Sequence, residues 1–569
     1  MHKRNRFIFP FVLLLLCLSV IPGSHFGKSG VEIKCYPGNV SAFQGEKVIL
    51  TVEVINHLSA SIRPGTNHFI SYHLYDEKGK LVSYDNRRFR LPRVLRRRKT
   101  TTFRLPVFFD HPQTGNYVVE FDIVNEGKFW GSVKKWKTCK IRLHLKSLFS
   151  REFKEKYLSF FCPTTNPLLD NQQYLLRMTL KNSEVFRTCE DGKKEIFGFS
   201  PGSAYPQVWI RDTATFIGYA KLFYPFDTAA KSVELFMEHQ GADGEIVDWV
   251  DVSGKTDKNT VETDQESSLL LAAYELGKGN PGWFHQEIKG KKVLTRLEMA
   301  LAWVWQNKRN PKYHLVYSGF TADWGDIENT YPDQRATKLS DRSTLVFSIY
   351  TQAKYIQAID RLIKIFKHPQ VTHGKKAGSI QSKRQLWKQR LNILKGQTQK
   401  HLYLKDKGYF ITHIVPGAEK EKYFQMEKEM LAVGGNVEAI MAGLMDHRQI
   451  RRFLVELEKR RKKYRLRTVS FTLIPPYPGG FFSHHLMRPW SYQNGGEWDW
   501  IGARVVKALF MEGFRQEAQK YLLEIVKKNL ANYCIFEWED REGSSIGGSM
   551  FYVGAAGIIG DTIFMNCRK

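Results

Sequence analysis

Two short segments far apart in the chain each set carboxylates beside tryptophan. Ala322–Asp326 reads Ala-Asp-Trp-Gly-Asp, and Phe536–Asp540 reads Phe-Glu-Trp-Glu-Asp. Cleaving a glycosidic bond needs two carboxyl groups on opposite sides of a sugar ring, with aromatic faces to hold the ring. One carboxyl protonates the leaving oxygen. In an inverting reaction the other activates a water molecule on the far side. A general acid must hold its proton near working pH, which a dry or negatively charged setting favours. Asp326, with Asp323 and Trp324 close by, is the candidate acid. Glu537 is the candidate base, and Glu539 and Glu497 are alternatives for that role.

Four further loops are rich in acids, and three of them carry tryptophan: Gln207–Asp212, Asp243–Trp249, Glu262–Ser267 and Tyr492–Trp500. Trp209, Trp324 and Trp498 are candidate stacking platforms. Arg211 would clamp sugar hydroxyls or orient a carboxylate through its fork of donors. Asp212, Asp264 and Glu266 would accept from sugar hydroxyls or simply cap the helices that begin near them. Asp323, Asn494, Gly495, Glu497 and Glu539 complete the candidate binding set. A structural reading of each acid, as a cap, a turn or a solvated carboxylate, stands beside the functional one.

Such loops need a frame that brings them to one mouth. From about residue 150 the pattern becomes helical, with about a dozen candidate segments: Leu168–Asn182, Asp212–Phe223, Asp227–Gln240, Asp264–Leu276, Leu294–Gln306, Thr344–Phe366, Ser382–Lys400, Glu427–Leu444, Arg448–Lys462, Trp500–Met511, Gly513–Leu530 and Gly548–Phe564. Several show apolar faces at helical spacing. They pair as helix, turn, helix, and no repeat of fixed period marks a solenoid. Residues from about 29 to 147 read instead as short strands with turn signals between them, the pattern of an immunoglobulin-like sandwich. The expected architecture is multidomain: a signal segment over 1–27, a β-sandwich over 28–147 and an all-α (α/α)6 toroid over 150–569.

The helical loops resemble those of the six-hairpin inverting glycosidases, the clan of the trehalases, the family 63 α-glucosidases and mannosylglycerate hydrolases, and the family 100 alkaline invertases. Trp209–Asp212 is similar to the clan's aromatic-x-Arg-Asp. Ala322–Asp326 is similar to its Trp-x-Asp segment, Asn494–Trp498 to Asn-Gly-Gly-x-Trp, and Phe536–Asp540 to the segment that carries the base. The resemblance implies Asp326 as acid and Glu537 as base. Two features depart from the pattern: Glu539 stands where a second aromatic residue is expected, and Glu497 and Asp499 are extra acids. The sandwich segment resembles domains attached to bacterial polysaccharide-export and surface-glycan proteins, in Tyr72–Asp76, Arg88–Pro92, Thr114–Tyr117 and Glu126–Trp130.

The 569 residues carry 86 Lys and Arg against 57 Asp and Glu, a net charge of +29. That balance suits a polyanionic partner such as an anionic glycan or a membrane surface, or else a solvated basic face. The densest basic run, Arg93–Lys99, lies between strands, and no zinc-finger, RNA-binding or Walker-type pattern accompanies it, so nucleic acid is not expected. Neither a metal nor another cofactor is expected. Lys3, Arg4 and Arg6 before the apolar stretch Phe7–Val20 have the order of an export signal, with an uncleaved anchor as the alternative. The mature chain is therefore expected in the periplasm or outside the cell. Cys35 and Cys139 flank the sandwich as a candidate disulfide, with buried free thiols as the other reading. The expected activity is inverting hydrolysis of an α-linked glycoside. A non-hydrolytic glycan-binding protein is the second reading, and a phosphorylase or lyase on the same frame is the third.

Overall fold

The computed structural model describes residues 30–567, apart from 65, 85, 87, 92, 110–112, 190, 204, 330–335, 373–376, 418–421 and 544–547. The expected signal segment lies outside the described residues. The chain divides into two compact units. One contains the described residues up to Ala42, with Val48–Val107 and Gly115–Leu145; the other contains Phe43–Lys47, Phe108–Thr114 and everything from Lys146 onward.

The first unit is built on ten strands: β1 (Val31–Tyr36), β2 (Asn39–Phe43), β3 (Lys47–Asn56), β4 (His68–Asp76), β5 (Leu81–Ser83), β6 (Phe89–Arg90), β7 (Lys99–Phe108), β8 (Gly115–Asn125), β9 (Phe129–Trp130) and β10 (Cys139–Lys146). Three form one sheet in the order β1-β3-β7. The others form a second sheet in the order β2-β10-β8-β4-β5, with β6 on β4 and β9 on β8. Alternation drives the arrangement. In β10, Cys139, Ile141, Leu143 and Leu145 are buried while Lys140, Arg142 and His144 are exposed. That is the period-two pattern of a sheet with one face packed and one wet. Cys35 on β1 and Cys139 on β10 are buried thiols within hydrogen-bonding reach of each other. Of the two readings the sequence left open for them, these are free thiols; the disulfide among the described residues is between Cys162 and Cys567 and joins two distant parts of the helical unit.

The second unit carries fifteen described helices: α1 (Arg151–Tyr157), α2 (Pro167–Asn182), α3 (Ile210–Ala220), α4 (Phe226–Glu238), α5 (Gln265–Gly277), α6 (Val293–Asn307), α7 (Ile349–Lys367), α8 (Pro369–Thr372), α9 (Ala377–Leu402), α10 (Lys422–Lys428), α11 (Val433–Met441), α12 (His447–Tyr464), α13 (Asp499–Met511), α14 (Arg515–Asn532) and α15 (Val553–Cys567). Helices α3, α5, α7, α11, α13 and α15 each pack on the next, and α15 packs back on α3, so these six close a ring. Outer helices pack against the ring: α4 on α3 and α5, α6 on α5 and α7, α9 on α7, α14 on α13, and α2 on α15.

Sequence decides which helices go where. Helix α13 is buried around almost its whole circumference, including Asp499 and Arg504, whereas α12 buries only the stripe Ile450, Phe453, Leu454, Leu457, Arg460 and Arg461. A helix covered on all sides belongs inside, and an amphipathic one belongs at the surface. The ring closes where α15 meets α3. There a side chain at Gly557 would collide with Phe216, and one at Gly560 with Tyr219. Only glycine lets these two helices approach so closely.

Two expected helices are interrupted. Leu345–Ser348 is a strand, paired with Ser318–Gly319 and His413–Ile414, and α7 begins only at Ile349. The segment read as one helix from Glu427 is split by the strand Leu431–Ala432, which pairs with Leu473–Ile474. Short apolar runs satisfy both periods, and pairing partners distant in sequence decide between them. No described helix is long and apolar enough to cross a membrane.

Candidate active site

One cavity in the helical unit has about 490 Å³ of space not filled by protein atoms. It is lined by Tyr205, Trp209, Arg211, Asp212, Asp248, Glu262, Trp324, Asp326, Tyr492, Gln493, Trp498, Glu537 and Tyr552, together with Pro201. Asp326 and Glu537 therefore face the same space. Five carboxylates and one guanidinium line it.

The first wall is a strand-to-helix joint. Val208–Trp209 pairs with Trp249–Val250, and the Ile210 N–H donates to the Asp248 carbonyl at 3.0 Å. This brings Asp248 beside Trp209, Arg211 and Asp212 at the start of α3. Trp209 occupies the N-cap position, so Asp212 lies inside the first turn rather than capping it. Burial pushes Asp212 up to about 6, against a hydrogen bond from Tyr552 and the charge of Arg211. Burial pushes Asp248 up to about 7, opposed by Arg211 and reinforced by Asp264 and Asp326.

Arg211 itself is almost fully enclosed. Its guanidinium donates to both oxygens of Asp264, at 3.0 and 3.1 Å, and pairs with Glu262. Burial works against its charge, but Asp264, Tyr350, Asp248 and Asp326 outweigh burial and raise its pKa. Asp264 does not cap α5 with its side chain; it accepts from Arg211 and, at 3.3 Å, from the Tyr350 hydroxyl. Glu266 lies outside the cavity lining and is fully buried. It accepts from the Ile246 N–H at 3.0 Å and from Lys258 at 2.7 Å, so it pins the Asp243–Trp249 loop.

The second wall is the turn Ala322–Gly325. The Gly325 N–H donates to the Ala322 carbonyl, and Asp323 takes a left-handed conformation with φ at 54°. Asp323 points away from the cavity onto the N-terminus of α11, where its two oxygens accept from the Gly435 N–H at 2.9 and 3.2 Å. A Cβ at Gly434 or Gly435 would crowd these oxygens. Burial pushes Asp323 up to about 8, against the N–H groups of Gly435 and Gly434 and with help from Glu427. Anchoring Asp323 turns Trp324 and Asp326 toward the cavity. The Asp326 N–H donates to Gln493 at 3.2 Å, and its carbonyl accepts from Asn259 at 3.1 Å. Trp324 stands edge-on to Trp498 and Trp500, with centroids 4.7 and 4.6 Å away.

The third wall carries Glu537. The Tyr205 hydroxyl donates to its Oε1 at 2.7 Å, and the Ser549 N–H donates to its Oε2 at 3.0 Å. Burial pushes Glu537 up to about 7; these two donors oppose the rise, and Asp212 and Asp326 reinforce it. Asn494 lies outside the cavity lining. It bridges the Tyr477 N–H and the Tyr477 and Met487 carbonyls. Gly495 sits at φ 82°, close under Pro476. Glu497 and Glu539 are also outside the lining: both pair with Lys528 and Arg467.

Several lining atoms have no hydrogen-bond partner among the described residues: Trp209 Nε1, Trp324 Nε1, Asp212 Oδ1 and Asp326 Oδ1. Buried polar atoms rarely stay unpaired. Two donors and two acceptors around an aromatic-walled space match a polyhydroxylated ligand. Tyr205, Asp248, Glu262, Tyr492, Gln493 and Tyr552 are absent from the set proposed from sequence, although Asp248 and Glu262 lie in loops marked for their acids. Tyr492 and Gln493 lie inside a loop marked for its acids, but nothing local distinguishes Tyr205 or Tyr552.

No protein-family model matches the chain, and no curated protein matches it. Among solved structures it is similar to the GH63 mannosylglycerate hydrolase from Thermus thermophilus in complex with glucose. Identity is 12%, 70% of this chain and all of that one are covered, and the TM-score is 0.49. It is also similar to a rhamnosidase from Klebsiella oxytoca with rhamnose bound, at 12% identity over 91% of this chain and 87% of that one, TM-score 0.48. A third is the GH78 family rhamnosidase of Bacillus sp. GL1, at 12% identity over 90% and 46%, TM-score 0.49. All three are glycoside hydrolases.

Proposed function

We propose that the protein is an inverting glycoside hydrolase acting on an α-linked glycoside. In this reading the helical ring is an (α/α)6 toroid that carries the active site, and the ten-stranded unit is an immunoglobulin-like sandwich. The observation that carries the reading is that Asp326 and Glu537, from distant loops, line one aromatic-walled cavity. Asp326 gives its proton to the leaving oxygen. Glu537 takes a proton from water, which attacks the anomeric carbon from the opposite face. Tyr205 and the Ser549 N–H hold Glu537 in place and favour its ionised form as it waits for that proton. Trp209, Trp324 and Trp498 supply ring faces, and Arg211 holds Glu262 and Asp264 in fixed positions.

A second reading of the acid has its own support. Asp248 is held up to about 7 by burial and also faces the cavity, so it is suited to keep a proton at neutral pH. A substrate whose leaving group needs no protonation separates the candidates: the true acid's amide variant regains activity on it.

The five lining carboxylates favour a neutral sugar at the reacting position over an anionic one. The basic surface would then serve attraction of a larger anionic glycan or a membrane surface, outside the cavity. Residues 1–27 are proposed as an export signal, with the working protein periplasmic or extracellular. The deciding experiment is proton NMR of the product anomer early in hydrolysis of α-linked disaccharides. An inverted anomer supports the reading; a retained anomer, or glycan binding with no turnover, rejects it.

A further inference from the structure

The sequence features that depart from the six-hairpin pattern, Glu497, Asp499 and Glu539, meet at one cation. We propose that Lys528, on helix α14, is a positioning residue that holds Glu537 and Trp498 in the cavity wall through these three acids. This inference rests on reading Glu537 as the base.

Lys528 Nζ lies 2.7 Å from Asp499 Oδ1, 2.9 Å from Glu539 Oε2 and 3.3 Å from Glu497 Oε1. All four side chains are buried or nearly so. Arg467 is the second cation; it touches Glu497 and stands 3.9 Å from Glu539. Thr468 donates to Glu497 at 2.6 Å, and Ser470 to Asp499 at 3.0 Å. Three carboxylates thus meet two cations, and without Lys528 they would meet one. Burial pushes Asp499 up to about 6, and Lys528 is the main influence pulling it back.

The cluster is tied to the wall by backbone geometry. Glu497 and Glu539 exchange both hydrogen bonds of an antiparallel bridge, at 2.8 and 2.9 Å. Trp498 is extended, with φ −120° and ψ 109°. Side chains alternate in an extended chain, so Glu497 and Asp499 turn toward Lys528 while Trp498, between them, turns to the cavity. On the facing segment Glu539 is held two residues after Glu537. Glu537 is gripped from its other side by Ser549, through the Glu537 N–H at 2.7 Å and Oε2 at 3.0 Å. Losing Lys528 leaves three buried acids repelling one another across the bridge that sets the position of the base.

The test uses the full chain and a panel of 4-nitrophenyl α-glucoside, α-mannoside and α-rhamnoside, with kcat and KM read on whichever is turned over. Lys528→Met is expected to lower kcat about 10- to 100-fold with KM within about threefold, the size expected for a catalytic group moved by a fraction of an ångström to one ångström. Lys528→Arg should keep most of the turnover. Adding Glu539→Gln to Lys528→Met removes one of the repelling charges and should restore most of kcat. If Lys528→Met does not fold, the double variant alone carries the test: activity near wild type supports the proposal, and inactivity in a folded chain overturns it. The proposal is also overturned if Lys528→Met leaves kcat unchanged while Glu537→Gln is inactive, or if the loss lies wholly in KM. If Glu537→Gln turns over normally, the assignment of the base fails first, and separately.

Discussion

Two groups of carboxylates in the helical unit have opposite surroundings. Glu497, Asp499 and Glu539 are bound to Lys528 and Arg467 and closed off from the cavity. Asp212, Asp248, Asp326 and Glu537 line open space, and among the described residues none of the four makes a direct ion pair, although Arg211 acts on Asp212 and Asp248 from farther off. Both groups are buried apart from Asp326, which is half-buried. What separates them is compensation: buried acids matched by cations hold structure, and buried acids left facing a cavity are available for proton transfer. Glu537 and Glu539, two positions apart, fall on either side of this division.

The comparison breaks most directly at its uncompensated side. Glu537→Gln and Asp326→Asn should each lower turnover about 10²–10⁴-fold, the usual contribution of a general acid or base. On an α-glycosyl fluoride, whose leaving group needs no proton, Asp326→Asn should recover and Glu537→Gln should not. Stopped-flow or fluoride-electrode rates read this directly; recovery of Glu537→Gln without Asp326→Asn would reverse the assignment, and equal recovery of both would remove it.

Arg211→Met removes the cation that Glu262 and Asp264 share. Leaving buried charges unmatched should cost about 3–5 kcal/mol of folding stability, measurable by urea titration. A cost near zero would mean these acids take up protons instead, and the compensated and uncompensated groups would differ less than the geometry implies.

The pH dependence sharpens the contrast. Because burial holds Glu537 up to about 7, its ionised form grows as pH rises through that value. The kcat/KM profile should therefore climb through about pH 7 if Glu537 is the base, and a flat profile between pH 5 and about 8 would remove it. Asp323 gives a smaller effect, on stability. Its carboxyl ordinarily titrates at 3.8 and is held up to about 8 in the fold, so the folded state binds the extra proton. The associated stability is present below about 4 and is lost as pH rises toward 8. Asp323→Asn should flatten that slope in thermal melts without removing the Gly435 hydrogen bond. The smallest change is Thr468→Val, which deletes one donor to Glu497 and should cost about 1 kcal/mol.

Much of this arrangement is legible in the sequence because the residues concerned are unusual where they stand. Tryptophan beside aspartate at helix starts marks Trp209–Asp212 and Ala322–Asp326, and helical periodicity marks most of α2 to α15. Other features depend on partners distant in the chain. Nothing local distinguishes Glu537 from Glu539; the difference lies in Lys528, which the sequence shows only as one of many lysines on an amphipathic helix. Tyr205 sits in a plain Ala-Tyr-Pro stretch, and its role as donor to Glu537 depends on a contact 332 residues away. Gly434 and Gly435 lie inside a run that reads as continuous helix. Their significance appears only when Asp323 arrives against them from another loop. Local pattern identifies candidates, and long-range charge matching sorts them.

The seam of glycines between α3 and α15 has a consequence for timing. As the chain leaves the ribosome, Asp326 and two of the three walls are made long before the stretch that supplies Glu537, and the final helix must slot against the first of the ring to finish the pocket. A nascent chain that has not yet reached that seam carries Asp326 with no Glu537 opposite it. On the proposed assignment, catalysis would thus switch on only once α15 is seated, and a bulky residue at Gly557 would leave the ring held at the same unclosed stage.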